Sequence, residues 1–346
     1  VNGVAWSASA FELTQDAVIP NRWVGVLQSV AGAPITSGTE INFKVTRGTW
    51  ATVEMGPQGA NVPNRVSLCG PSSTTVFAHV FHWADDQIYP PVAYDLDLGV
   101  WYPRALNGVP RQIYSHMPPG YSASSTTTYP VLYALNGQTM YAASRSPSGV
   151  SVQLDVAGDA NAAVTSGTGA FISVAIDAST NPAYEFGPTT DPVLGGGGLP
   201  LFGQWLFEEL MPEINRIYQT QPGTSGILGT GLAGLAAFQL AWDNPDRLQL
   251  VGSMSPMMTW DNEEAVGAVT ATKTPPALAL WLDVGTGDAE GPLAAPQLQA
   301  VQDVNTVILG VGLPSSSYRF EVVTGGTADE TSWQARLPAV LNFLFP

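Results

Sequence analysis

Apolar and polar positions along the chain follow two different rhythms. Over residues 1 to about 92 the rhythm is short and close to alternating. In "EINFKVTRGTWATVEM", Ile41, Phe43 and Val45 fall on one side and Asn42, Lys44 and Thr46 on the other. A period of two marks a half-buried strand. Arg47-Gly48-Thr49 offers a turn, and "WATVEM" reads as the returning strand of a hairpin. "RVSLCG" and "TTVFAHVFHWAD" read as further strands. Residues 1–92 are therefore expected to form a small antiparallel β-sandwich.

After "DDQIYPPVAYDLDLG" the rhythm changes. Short unbroken apolar runs alternate with stretches of helical period. "YPVLYAL" (129–135), "FISVAI" (171–176), "GILG", "LQLVGSM" (248–254), "PALALWLDV" (276–284) and "YRFEVV" (318–323) are the runs. In "FGQWLFEELMPEINRIY", residues Phe202, Leu206, Leu210, Ile214 and Ile217 recur at helical spacing. Helices are also expected from about Leu232 to Trp242, over "APQLQAVQDVNTVILGVG", and over "SWQARLPAVLNFLF". Apolar strands separated by helices indicate a mostly parallel sheet covered on both faces. Residues 93–346 are read as one α/β domain, doubly wound.

Charge narrows the function classes. The net charge is −16, and the only lysines are Lys44 and Lys273. So acidic a chain repels nucleic acid and anionic lipid surfaces. It suits a secreted or extracellular setting, and the start at Val1 fits a processed precursor. The uncharged run from Gly226 to Trp242 is broken by glycines. It reads as a buried strand, turn and helix, not a membrane span. The single cysteine, Cys69, excludes an internal disulfide and a Cys-based metal cluster. Paired acids such as Asp85-Asp86 do not follow the calcium-loop spacing, so solvated faces are expected, with weak Ca²⁺ binding left open. No cofactor and no metal are expected.

Three landmarks carry the chemistry. "YPVLYALNGQTMY" is a strand followed by Asn136-Gly137-Gln138. "GILGTGLAGLAAFQLAWDNPDRLQLVGSMSP" is strand, tight turn, helix, strand. "FEVVTGGTADETSWQARLPAVLNFLF" is strand, loop, helix. Together with "YSHMPPGY" and "FEELMPEI", they resemble the esterase D-like branch of the α/β-hydrolases. That branch includes enterochelin esterases, feruloyl esterases and mycolyltransferases. The resemblance runs from about Leu98 to Phe345. It implies a Ser in a G-x-S-x-G turn, a His that takes the Ser proton, an acid that orients the His, and backbone N–H groups for the oxyanion.

The residues found at those positions do not match. The turn reads Gly229-Thr230-Gly231-Leu232-Ala233, so Gly231 stands where the resemblance places the nucleophile. Ala328 stands where it places the histidine. The acid would be Asp288 or Glu290. The oxyanion donors would be N–H groups of Leu232 and of Gly137 or Gln138, and a ligand pocket would be lined by Asn136, Thr230, Gly231 and Met257. His79 and His82 belong to the first domain, and His116 to an early strand far from the turn. Ser255-Pro256 looks like the branch's structural Ser-Pro. Gly and Ala are also what deliberate knockouts would leave, but Ala233 in place of the second motif glycine favours natural loss.

Losing Ser or His alone costs roughly 10⁶ in rate in a well-studied serine protease. The expected protein is thus a catalytically inactive, esterase-like chain. It would bind a small apolar or ester-like ligand or a carbohydrate, or serve in assembly with itself or a protein partner. The alternatives are a weak or unorthodox carboxylic-ester hydrolase and an acidic structural extracellular protein. In the first domain, "FKVTRGTWATVEMGPQG" resembles a strand pair of starch-binding β-sandwiches. Trp23 and Trp50 are expected as core aromatics, with sugar stacking as the other reading. "GGGG" at 195–198 lacks the Lys-Ser/Thr of a phosphate loop and is expected as a mobile rim loop.

Overall fold

Strands that are apolar on both faces need cover on both faces, and the chain supplies it with helices. The computed structural model describes all residues except 1–6, 9, 18–21, 31, 57–58, 73, 77, 87–94, 102, 104, 107, 141–153, 155, 167–168 and 289–293. The chain divides into two compact units, Val1–Val92 and Ala93–Pro346.

The second unit holds one eight-stranded sheet. Its strands are β1 (Asp95–Trp101), β2 (Arg111–His116), β3 (Tyr129–Leu135), β4 (Ile172–Ile176), β5 (Thr220–Thr230), β6 (Leu250–Met254), β7 (Ala279–Gly285) and β8 (Tyr318–Val323). The spatial order is β8-β7-β6-β5-β3-β4-β2-β1. β2 runs antiparallel to both of its neighbours, and all other pairings are parallel. Every residue of β4 is buried, as are six of the seven in β7. The apolar runs thus become central strands, and the domain is the mixed α/β fold expected.

The helices are α1 (Gly137–Met140), α2 (Val156–Ser166), α3 (Pro182–Phe186), α4 (Leu199–Trp205), α5 (Met211–Ile217), α6 (Gly231–Asp243), α7 (Glu264–Thr270), α8 (Ala294–Gly310) and α9 (Glu330–Leu344). A π turn over Leu206–Leu210 joins α4 to α5 where one regular helix was expected. Pro212 has no N–H for the carbonyl four residues back, and its ring crowds that carbonyl. A wider turn just before it accommodates the proline. On one face of the sheet, Leu337, Val340, Leu341 and Leu344 of α9 join Leu228 and Met254 in a continuous core.

The first unit is small and β-rich. Its described ladders are two-stranded: Thr14–Gln15 with Trp23–Val24, Ser29–Val30 with Ala33–Pro34, Glu40–Phe43 with Arg65–Leu68, and Glu54–Met55 with His82–Trp83. The hairpin expected over 40–55 shrinks to a single bridge, Thr46 to Val53. Residues Trp50–Thr52 instead wind into a 3₁₀ turn, closed by a reciprocal capping box between Thr49 and Thr52. Arg65 draws the next strand in: its guanidinium lies 2.7 Å from Glu54, with Arg65 5% and Glu54 1% exposed. Trp23 and Trp50 are 57% and 43% exposed, so neither is the core aromatic expected. Each stands beside or within an element of two or three residues, too short to present a covered face.

Candidate functional site

In a parallel α/β sheet, the groups that do chemistry gather where the strands end at their carboxyl edge. β5, β6 and β7 run side by side to that edge, with Thr230 opposite Met254 and Met254 opposite Asp283. β7 and β8 continue the row, with Gly285 opposite Val323. Gly231 follows β5 directly, Asp288 follows β7, and Ala328 follows β8. The three positions come from the carboxyl ends of β5, β7 and β8, with β6 between the first two.

The turn between β5 and α6 is sharp. Thr230 is extended at φ −124°, and Gly231 turns to φ +57°. Left-handed backbone of this kind strains most side chains, and glycine adopts it freely. A Cβ on Gly229 would lie 2.1 Å from the Ala233 carbonyl oxygen, so only glycine fits there. At Gly231 a Cβ would have no neighbour within 4 Å. The turn therefore has the shape of a nucleophile elbow, with open space where the side chain would project. Met257 N–H donates to the Gly231 carbonyl at 3.1 Å and ties the turn to the segment after β6. Thr230 is buried at 3% exposure.

The oxyanion donors expected from sequence sit at helix starts. Leu232 is in the first turn of α6 and Gly137 opens α1, positions whose N–H groups have no acceptor within the helix. Asn136 takes φ +59° to turn the chain out of β3. Gly137 passes close to β4: a Cβ there would lie 2.9 Å from Ile176 backbone atoms. The Gln138 side chain accepts from Ala178 N–H at 2.9 Å, which fixes it to the segment after β4.

Asp288 is 8% exposed. Its Oδ2 accepts from Gly285 N–H at 2.7 Å, while Oδ1 is buried without a hydrogen bond. Burial raises its pKa. The nearby Ser255 hydroxyl and the Gly285 N–H favour the ionised form, but burial is the larger effect. The alternative acid, Glu290, lies outside the described residues. Ala328 is exposed, one residue before Asp329, whose carboxylate caps α9 by accepting from Ser332 N–H at 2.9 Å. The loops carrying Asp288 and Ala328 touch through glycines. Gly287 N–H donates to the Gly326 carbonyl at 2.7 Å, and a Cβ on Gly285 would come within 2.2 Å of that oxygen.

No imidazole stands at this edge among the described residues. His116 closes β2 opposite Ser173, near the start of β4 and hence at the far edge of the sheet. It is 1% exposed and hydrogen-bonded to Asn161 at 3.2 Å. His79 and His82 lie in the first unit. No group of three or more His, Cys, Asp or Glu that could hold a metal occurs among the described residues.

A buried network that the sequence did not announce lies at the same edge. Arg336 of α9 donates to Asp283 at 2.8 Å and to the Ser255 hydroxyl at 3.0 Å. Asp283 also accepts from Ser255 N–H at 3.1 Å and from the Trp281 indole at 2.9 Å. Arg336, Asp283 and Ser255 are 7%, 0% and 2% exposed. Ser255, at φ +44°, is held out of the usual backbone range by these bonds and precedes Pro256. A hydroxyl whose oxygen accepts a hydrogen bond from a guanidinium is a poorer nucleophile, so Ser255 is a strut. Ser255 and Arg336 lie 28 and 53 positions from Asp283, which hides the three from any local motif.

The glycine run at 195–198 is also built in, where a mobile rim was expected. Thr190–Asp191 pairs with Gly195–Gly196 in a short hairpin, and Trp260 lies so close that a Cβ on Gly196 would fall 2.4 Å from its ring. The Trp260 indole donates to the Thr189 carbonyl at 3.1 Å.

Comparison with solved structures gives the same fold. The BES protein from Bacillus cereus matches with a TM-score of 0.57 at 20% identity, over 79% of this chain and 100% of that one. The enterobactin esterase FES from Shigella flexneri matches at 0.56 and 17% identity, over 73% of this chain and 60% of that one. The siderophore hydrolase EstA from Aspergillus nidulans matches at 0.54 and 15%, over 76% and 98%. A comparison with curated protein sequences found no match. The family described as "Putative esterase" matches residues 105–344, most of the chain, and the chain belongs to that family.

Proposed function

We propose that this family member has kept the elbow and given up serine-hydrolase chemistry, and that it binds a small apolar or ester-like ligand at the carboxyl edge of its sheet. The observation that carries the reading is Gly231. It occupies the elbow at φ +57° with open space above it and no side chain to attack a carbonyl. Ala328 agrees with it, since the loop after β8 offers no imidazole. Without nucleophile and base, the helix-start N–H groups and binding alone sustain about 10³–10⁴ over the uncatalysed rate in the best-studied case. That is too slow for a working esterase. The same donors suit a carbonyl or carboxylate that is held and not cleaved. The likeness to an enterobactin esterase and a siderophore hydrolase supports a small-molecule ligand at this edge. The acidic surface supports an extracellular setting.

The test is hydrolysis of short p-nitrophenyl esters with fluorophosphonate labelling, alongside saturation binding of a non-hydrolysable phenyl ketone followed by tryptophan fluorescence. Binding without turnover or labelling is the expected result. Robust turnover, or labelling of one serine, overturns it.

A further inference from the structure

A cleft of the second unit lies away from the elbow. It lies at the opposite end of α6, roughly 18 Å away along a helix rising ~1.5 Å per residue. It measures about 390 Å³ and opens between α4, the C-terminal turn of α6 and the start of α7. Its walls include Leu199, Phe207 and Leu240. Its polar lining is neutral or acidic: Gln204, Gln239 and Asn244 are amides, Asp243 and Glu264 are carboxylates, and no lysine, arginine or histidine faces it.

Two of these groups are left wanting a donor. Gln239 is 6% exposed; its amide nitrogen donates to Asp243 at 2.9 Å, and its Oε1 is buried without a partner. Glu264 Oε2 is likewise buried and without a hydrogen bond. A buried acceptor left unpaired costs about 1–3 kcal/mol, more when charged. Burial and the negative charges of Asp243 and Asp261 push the Glu264 pKa up, so the site is short of positive charge. The C-terminal end of α6 adds its partial negative charge to the same place. A bare metal ion fits poorly, because the cleft is wide and its walls are apolar.

We propose that this cleft binds a primary alkylammonium group, which donates to Glu264 Oε2 and Gln239 Oε1 and lays its methylene chain against Leu240 and Phe207. An ammonium carries three donors and no acceptor, the complement of two unpaired oxygens beside a carboxylate. A free aliphatic amine and a lysine side chain present the same head. The proposal is independent of the reading of the Gly231 end.

The test is isothermal titration at low salt with n-hexylammonium chloride, hexan-1-ol and Nα-acetyl-lysine amide. Hexylammonium is expected to bind saturably at one site, and hexanol at least about tenfold more weakly, as loss of a charge-assisted hydrogen bond implies. Glu264→Gln is expected to weaken hexylammonium by a similar factor. Asp303→Asn, which removes an equal charge elsewhere, should leave it unchanged. If Glu264→Gln fails to fold, Asp243→Asn, at an exposed carboxylate, provides the same comparison. Acetyl-lysine amide binding as well as hexylammonium points to a lysyl source, and hexylammonium binding alone to a free amine. Equal binding of hexanol, equal weakening by Asp303→Asn, or no response to Glu264→Gln overturns the proposal.

Discussion

If the elbow has lost only its side chains, it should accept them back. The perturbation is Gly231→Ser with Ala328→His. The structure sets the cost. Nothing lies within 4 Å of a Cβ at Gly231, so the serine meets no steric penalty and has only the left-handed backbone to bear. That strain is roughly 1–2 kcal/mol. For a unit of this size it lowers the melting temperature by roughly 2–8 °C. Ala328 is exposed on its loop, so the histidine adds little. Either substitution alone should leave ester hydrolysis near background, because nucleophile and base act as a unit. Together, with Asp288 available to orient the imidazole, they should raise p-nitrophenyl acetate turnover at least about a hundredfold over either single variant. Fluorophosphonate should label the double variant at the introduced serine. The reasoning fails if the double variant is no faster than the singles while both melt within the stated range. A crystal structure with the introduced hydroxyl and imidazole far apart would refute the assignment of Ala328 directly.

Other consequences can be checked separately. Gly229→Ala puts a methyl group 2.1 Å from a backbone oxygen that cannot move away, so it should cost more than about 2 kcal/mol in urea unfolding, or prevent folding. Arg336→Met leaves the fully buried Asp283 charge without its cation; a loss of about 3–5 kcal/mol is expected, and adding Asp283→Leu should recover part of it. The pKa of Asp288 is raised on folding, so the folded chain holds that proton more tightly than the unfolded one. Its contribution is greatest below the ordinary carboxylate value of about 4 and fades as pH rises through the folded value. The urea midpoint should therefore fall as pH rises above the ordinary carboxylate value, and fall less in Asp288→Asn. An equal slope in the variant would show that Asp288 is not the source.

Sequence and structure agree most where one physical rule acts alone. The central strands were legible because a strand covered on both faces must be apolar throughout, as in "YPVLYAL" and "FISVAI". The turn at Gly231 was legible because small residues surround a sharp strand-to-helix junction. The hairpin at 40–55 was misread because alternation fixes which face a residue takes and not which strand it meets. Glu40–Phe43 pairs with Arg65–Leu68, and Arg65 in turn reaches Glu54 in a buried ion pair, long-range partners that alternation cannot encode. The Arg336 network and the cleft beside Gln239 were missed for a related reason. Their members come from distant segments, and the informative property, an unpaired buried oxygen, exists only after folding.

The glycine contact between the loops after β7 and β8 has a kinetic meaning. Gly287 bonds to Gly326, and Gly325 N–H donates to the Thr286 hydroxyl at 2.8 Å, so neither loop can open without breaking bonds to the other. Asp288 and Ala328 are thus carried by a single opening unit. Amide protons on the two loops should exchange with solvent at matched rates, and a ligand that quiets one loop should quiet both. A partner that grips only the Ala328 loop would then also slow solvent access to Asp288, although it never touches that carboxylate.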